Sequence, residues 1–536
     1  MRFWIKFTLA ATLLFALAAG APAAEDAQNS IEPPQREGRP QGKEKPGFAI
    51  ETTSADLSGP LGGVTTEYTV TAGLIPILDA EGTEKAQIFS TAYTIKAAEG
   101  EKRPVAFIFN GGPGSSSVYL HMGGLAPKTV SAIPNKGLGE PVHPYRVTDN
   151  PQSPLAVADL VFVDPVGTGF SRSVGKREKD KDKKDADENS PLSPYNANAN
   201  AGFWSAVRDL ETLAELIRTW LTQNNRWGSR IFLIGESYGG FRAAGLPFYL
   251  SKLGIATSGT AMISPVIDYK YVMQTNVDFE SDVNALPTAA AIARYHGLLA
   301  EDLQKMPENE LTDMVWKWAR TEYRQAFYEG NRLSEERFKA LTKELSRMTS
   351  LPEVEFIDQG LRFPDNFPYL VLRGRRLRVS PYDGRMTAPS AFRVRREEDP
   401  LQRVANEYYY TALMDFLRGT VGVETLRPYL ASSYAVFANW QFLNGRMGIP
   451  GNADTLAAQM RRFPSLKVFL AMGRYDMVCP PESALAALDT MDVPKDRLVN
   501  IETRMYDGGH MMYTNPEAAR KLCEDLSAWI SATASP

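Results

Sequence analysis

The chain has 536 residues, enough for a large buried core and for more than one structural unit. Its 43% hydrophobic content is ordinary for a globular protein, and a net charge of −4 argues against a nucleic-acid binder, which needs a basic surface. With only two cysteines, Cys479 and Cys523, the fold rests on its core rather than on disulfides, and no spacing of Cys, His and carboxylates suggests a metal site or another cofactor.

At the N-terminus, Arg2 and Lys6 precede an apolar run, Phe7 to Ala19, that is too short to span a bilayer comfortably. Ala21-Pro-Ala23 follows with the small residues of a cleavage site, so residues 1–23 read as an export signal that leaves no membrane anchor once removed. The scarcity of cysteine and the absence of any usable Asn-x-Ser/Thr sequon fit a bacterial periplasm or the extracellular space. Residues 24–47, rich in Pro, Gly, Gln and charge, read as a disordered leader.

From Gly63 to Ile95, recurrent Thr, Tyr, Ile and Val predict antiparallel strands around a turn at Asp79 to Gly82. Pro104 to Phe109 predicts a buried strand that runs into the glycine-rich stretch Asn110 to Ser117. A second strand, Leu160 to Asp164, leads into Pro165 to Ser171. Lys176 to Glu188 is almost wholly charged and predicts a solvated loop. Ala201 to Leu221 has helical apolar spacing, and Gly259 to Ser264 predicts a further strand. Between them, Ile231 to Ile234 enters Gly235-Glu-Ser237-Tyr-Gly239, after which Phe241 to Leu250 reads as a helix. This is the strand–turn–helix setting of a nucleophile elbow.

The strand–helix rhythm stops from Asp268 to Phe442, where helical stretches rich in Tyr, Trp and Arg appear. It resumes with strands at Leu466 to Met472 and Leu498 to Thr503 and a closing helix from Asn515 to Ile530. The expected architecture is an α/β-hydrolase fold: a mostly parallel central sheet flanked by helices, with an inserted, largely helical cap. The core then occupies residues 48–267 and 443–536, and the cap residues 268–442, over the C-terminal edge of the sheet.

A serine hydroxyl needs a base to take its proton and an acid to orient that base. In this fold they follow the nucleophile in the order acid, then histidine. His121 and His143 precede Ser237, and His296 falls in the insertion, which leaves His510 as the base. Asp476, in the loop after the resumed strand, is the expected acid; Asp507 is too close to His510 in sequence to orient it easily. Cys479 reads as a buried packing residue.

Asn110-Gly-Gly-Pro-Gly-Ser-Ser-Ser117, Val163-Asp-Pro-Val-Gly-Thr-Gly-Phe-Ser171 and Gly235-Glu-Ser-Tyr-Gly239 together resemble the serine carboxypeptidase family, from about Ala106 onward. The resemblance implies a triad of Ser237, Asp476 and His510. It also implies an oxyanion hole from the N–H groups of Gly112 and Tyr238, and recognition of a substrate's terminal carboxylate by Asn110 and Glu236. Peptides are the implied substrates. A glutamate binds a carboxylate only if one of the two is protonated, which favours acid pH.

Departures from the pattern bear on substrate. Gly124 stands where the family usually has a second glutamate, and Phe109 replaces the tryptophan before Asn110. His121 lies close enough in sequence to supply a cation for the carboxylate or to be a packing or surface residue. Arg373, Arg375, Arg376 and Arg378, with Arg393, Arg395 and Arg396 further on, form either a solvated strand edge or a site that attracts acidic groups. A carboxypeptidase is the expected function. A serine esterase or acyltransferase on the same scaffold is the alternative, and a non-catalytic binding protein the third reading.

Overall fold

The computed structural model describes residues 48–130, 146–174, 201–275, 278–390, 399–443 and 448–535. The export signal, the leader, the charged stretch Lys176 to Glu188, His143 and Arg393, Arg395 and Arg396 lie outside the described residues.

Among the described residues the central sheet has ten strands, nine of them in one continuous row: β1 (Thr53–Leu61), β2 (Val64–Leu78), β3 (Glu84–Thr94), β4 (Val105–Phe109), β5 (Asp159–Val163), β6 (Ile231–Glu236), β7 (Thr257–Ile263), β8 (Lys467–Gly473) and β9 (Ile501–Tyr506). Their spatial order is β1-β2-β3-β5-β4-β6-β7-β8-β9, and the two-residue strand Arg172–Ser173 also pairs with β3. The first three are antiparallel, and β3 meets β5 antiparallel. From β5 to β9 every pairing is parallel. Short runs such as Val105-Ala-Phe-Ile-Phe109 are buried at every position, as a strand covered on both faces must be.

Alternate residues feed opposite layers. Ala106, Ile108, Phe232, Ile234, Phe469 and Ala471 point into one core. Val105, Phe107, Leu233, Met262, Val468 and Leu470 point into the other. Helices α1 (Ala206–Gln223) and α2 (Tyr238–Lys252) cover the second layer. Residues of α5 (Pro400–Asp415) and α6 (Pro516–Ala534) cover the first. Between α2 and α5, α3 (Glu280–Tyr295) and α4 (Glu335–Thr349) contribute to a third cluster that runs from Val283 to Val379 and takes in Tyr475.

Two elements differ from expectation. Strand β1 differs from the sequence reading because its solvent-facing Ser54, Asp56 and Ser58 carry little strand signal; it forms by pairing residue for residue with β2. Strand β9 starts three residues later than the apolar Leu498-Val499 suggested. Those two side chains are exposed, in a 3-10 turn, and the strand runs on through Glu502, Thr503 and Arg504 at the sheet edge.

Because β5 lies on one side of β4 and β6 on the other, consecutive crossovers diverge there, and the C-terminal ends of β4 and β6 open side by side. Phe109 sits opposite Gly235, so the segments beginning at Asn110 and Glu236 leave the sheet together. Likewise Gly473 pairs with Tyr506, which starts the loops carrying Asp476 and His510 from neighbouring positions. An α/β sheet places its ligand crevice at such an edge.

Candidate active site

Ser237 stands between β6 and α2 with φ 59° and ψ −123°, a conformation that costs an L-residue about 1–3 kcal/mol. Steric demands explain its neighbours. A Cβ on Gly235 would lie 1.8 Å from the Gly239 carbonyl oxygen. The Ser237 N–H donates to Ile263 O at 3.0 Å, and its carbonyl accepts from Gly240 and Val266 N–H at 2.8 and 3.1 Å. Ser237 is the one residue from Ile231 to Gly240 that is not fully buried.

His510 Nδ1 and Asp476 Oδ2 are 2.8 Å apart, both side chains buried. The other Asp476 oxygen accepts the N–H groups of Val478 and Cys479 at 2.8 and 2.9 Å. Burial works to lower the His510 pKa, but the Asp476 charge at Nδ1, with Cys479, outweighs it and raises that pKa above the ordinary histidine value. Asp507, by contrast, points to solvent and meets Arg474 at 3.4 Å.

Cys479 is buried, as expected, and burial raises its thiol pKa. The donor atoms of Asp476, Cys479 and His510 all fall within 4.8 Å of one another. Three such atoms could hold a cation, but His510 Nδ1 is committed to Asp476, and the hydrogen-bonded pair is the arrangement present.

The loop after β4 closes over the elbow. A Cβ on Gly111 would lie 2.6 Å from Tyr238 N and 2.7 Å from Ser237 Cβ, so only glycine permits this approach. Gly112 follows with φ 100°. Tyr238 opens α2, so the helix itself leaves its N–H unpaired. Buried Arg242, on α2, donates through Nη1 to Asn110 O at 2.5 Å and through Nε to Asp209 Oδ2 of α1 at 2.7 Å. That ion pair ties the Asn110 backbone to both helices.

Asn110 Nδ2 donates to Glu236 Oε2, while Asn110 Oδ1 accepts from Leu120 N at 3.0 Å. The Tyr513 hydroxyl reaches both Glu236 oxygens, at 3.0 and 2.8 Å. Burial raises the Glu236 pKa to about 7. His510, Tyr513 and Asn110 oppose that rise, and Asp476 adds to it. His121 supplies no cation here. It is buried, stacked on Phe162 and bonded to the Tyr93 hydroxyl at 2.7 Å, and burial lowers its pKa to about 3.

Sequence reasoning missed Tyr382, Tyr513 and the position of Cys479. The Tyr382 carbonyl accepts the His510 N–H at 2.5 Å, and Pro381 O accepts from Met477 N at 2.9 Å, which stitches residues 381–382 to both loops. Only the spacing of Cys479 from Asp476 offered a signal. The other two contacts are tertiary. His296 is remote in role, its Nε2 bonded to Gly384 O at 2.8 Å. Arg373, Arg375 and Arg376 are exposed, whereas Arg378 turns inward.

Sheet order and an elbow serine beside a buried Asp–His pair define an α/β-hydrolase. A family model described as serine carboxypeptidase matches residues 67–333, about half of the sequence, and the chain belongs to that family. It is therefore a serine hydrolase. The match spans Asn110, Gly112 and Glu236 to Tyr238 and ends before Asp476 and His510. Similar solved structures include a proline iminopeptidase from Mycobacterium smegmatis, at 12% identity and TM-score 0.35, covering 87% of this chain and 100% of that one. A peroxisomal α/β-hydrolase from Saccharomyces cerevisiae gives 12% and 0.36, with 91% of each chain covered. A putative aryl esterase from Burkholderia cenocepacia gives 13% and 0.35, covering 86% of this chain and 99% of the other. No curated protein matches. Among the described residues, no helix is long and apolar enough to cross a membrane.

Proposed function

We propose that the protein is an exported serine-type carboxypeptidase that releases C-terminal residues from peptides through an acyl-enzyme. Ser237 Oγ attacks the last peptide carbonyl while His510 takes its proton, with Asp476 orienting the ring through Nδ1. The N–H groups of Gly112 and Tyr238 receive the oxyanion, a contribution of roughly 3–4 kcal/mol per donor in comparable sites. Collapse breaks the C–N bond, and His510 returns its proton to the departing amine. Water, deprotonated by His510, then attacks the ester and restores Ser237.

Asn110 and Glu236 hold the substrate's terminal carboxylate in this reading. The observation that carries it is their contact beside Ser237: a carboxyl with its pKa raised to about 7 is protonated below neutrality and can then donate to an anion. Residues 268–442 serve as a cap in this reading; the separate apolar cluster of Val283 to Val379 supports it, whereas α5 at the far end of the segment packs on the central sheet. Export rests on the N-terminal pattern of residues 1–23.

Gly124 favours a second reading, a serine esterase or acyltransferase, since an ester substrate needs no paired acid. The deciding experiment is mass spectrometry of matched peptides with free and amidated C-termini between pH 4 and 8, beside Ser237→Ala. Trimming of the free acid alone, abolished in the variant, is the expected result. Ester hydrolysis that needs Ser237, with neither peptide trimmed, would favour the second reading.

A further inference from the structure

Tyr513 bonds Glu236, and the Tyr409 ring lies between Tyr513 and Tyr119. Burial raises the phenol pKa of Tyr119, Tyr409 and Tyr513, and the Glu236 charge adds to it in each case. Two of the three hydroxyls are engaged. Tyr119 bonds Asn406 Oδ1 and, at 2.9 Å, Ser432 Oγ; Tyr513 bonds Glu236. Tyr409 is 1% exposed, and its hydroxyl has no hydrogen-bond partner among the described residues.

A buried hydroxyl without a partner is costly, and packing alone would be served as well by phenylalanine. The ring is held firmly, 6.4 Å from Tyr119 and 6.5 Å from Tyr513 between centroids. Gly123 makes room for it and for Tyr513, and Gly124 makes room for Tyr513 alone. A Cβ on Gly123 would lie 3.2 Å from Tyr409 Cζ and 2.5 Å from Tyr513 Cε2, and one on Gly124 would lie 2.9 Å from Tyr513 Cβ. The turn His121–Leu125 thus admits two phenols to the place beside Glu236.

We propose that Tyr409 is a specificity-determining residue whose hydroxyl donates to the terminal carboxylate of the bound substrate, while Tyr513 holds Glu236 in place. The assignment rests on the carboxypeptidase reading. Tyr513 and the Asn110 amide touch Glu236, and the charges of His510 and Asp476 act on it from further off, as its own charge acts on Tyr119 and Tyr409. Asp476 and Glu236 itself are acids, so an incoming anion needs neutral donors that never ionise in the working range, and a phenol is one. A hydrogen bond to an anion is also about twice as strong as one to a neutral amide, which separates free from amidated termini.

Tyr409→Phe removes the oxygen and leaves the ring. Steady-state kinetics on matched free-acid and amidated peptides and on an ester, with Tm alongside, test the assignment. The expected result is a KM for the free-acid peptide raised about tenfold or more, with ester turnover unchanged and Tm unchanged or higher. Trimming by the parent enzyme with KM unmoved in the variant would overturn the Tyr409 assignment and leave the carboxypeptidase reading intact. Equal losses on all substrates with a lower Tm would make Tyr409 structural and overturn it too. A parent enzyme that trims neither peptide but cleaves the ester would overturn the carboxypeptidase reading itself, and this assignment with it.

Discussion

Replacing Glu236 with glutamine separates the proton on this residue from every other titration at the site. Burial moves the carboxyl from 4.5 to about 7, so the folded protein favours the protonated form by about 3 kcal/mol more than water does. If only that form accepts a substrate carboxylate, affinity for a free-acid peptide is level below pH 6. It is halved near pH 7 and about tenfold weaker by pH 8 than at pH 5. Glutamine keeps an oxygen to accept from Asn110 and Tyr513 and presents a permanent donor, so its affinity curve is flat. The assay is calorimetry at pH 5, 6, 7 and 8 with free-acid and amidated peptides. It is performed in a Ser237→Ala background, so that binding is read without turnover. His510 also titrates nearby and is kept in the variant. A pH slope that persists in Glu236→Gln would therefore belong to His510 and refute the role given to Glu236. A flat curve in the Ser237→Ala parent would refute it as well.

What could be read along the chain was whatever sterics impose locally. The elbow is legible because Gly239 O leaves no space for a Cβ at position 235, and the buried strands are legible because both faces are covered. The Asp476–His510 pairing could be read from strand order, since parallel β8 and β9 deliver both loops to one edge. Strand β1 is not legible locally, because Ser54, Asp56 and Ser58 face water and nothing in Ser58-Gly-Pro60 marks a strand until β2 is beside it. The departure at Gly124 looked like a deletion of chemistry. In the fold it is a space: Tyr513, nearly four hundred residues away, fills it and places its hydroxyl on Glu236. Cys479 reads as a buried packing residue and is buried, but its sulfur also lies within 4.8 Å of the Asp476 and His510 donor atoms, which no local pattern announces. Contacts of this kind depend on how loops from opposite ends of the chain meet, and no local pattern encodes that.

Two further outcomes follow from buried charges away from the reacting atoms. Arg242→Met strands Asp209 without its partner in the interior, a loss of about 3–5 kcal/mol, and frees the Asn110 carbonyl. Denaturant unfolding should show that loss and Arg242→Met/Asp209→Leu should recover most of it, whereas equal stability of the single variant would mean the pair is solvated. Glu482 is buried with Oε2 unpaired, and burial lifts its pKa to about 8 against a weaker opposing pull from its own backbone N–H and Arg474. The folded protein therefore retains a proton between pH 4.5 and about 8 that the unfolded chain releases. Stability falls as pH rises through that window, by as much as about 5 kcal/mol at its upper end. Glutamine at 482 carries no such proton. The Tm difference between Glu482→Gln and the parent should be near zero at pH 5 and widen in the variant's favour by pH 8. A gap that stays constant across that range would show that Glu482 does not hold its proton in the fold.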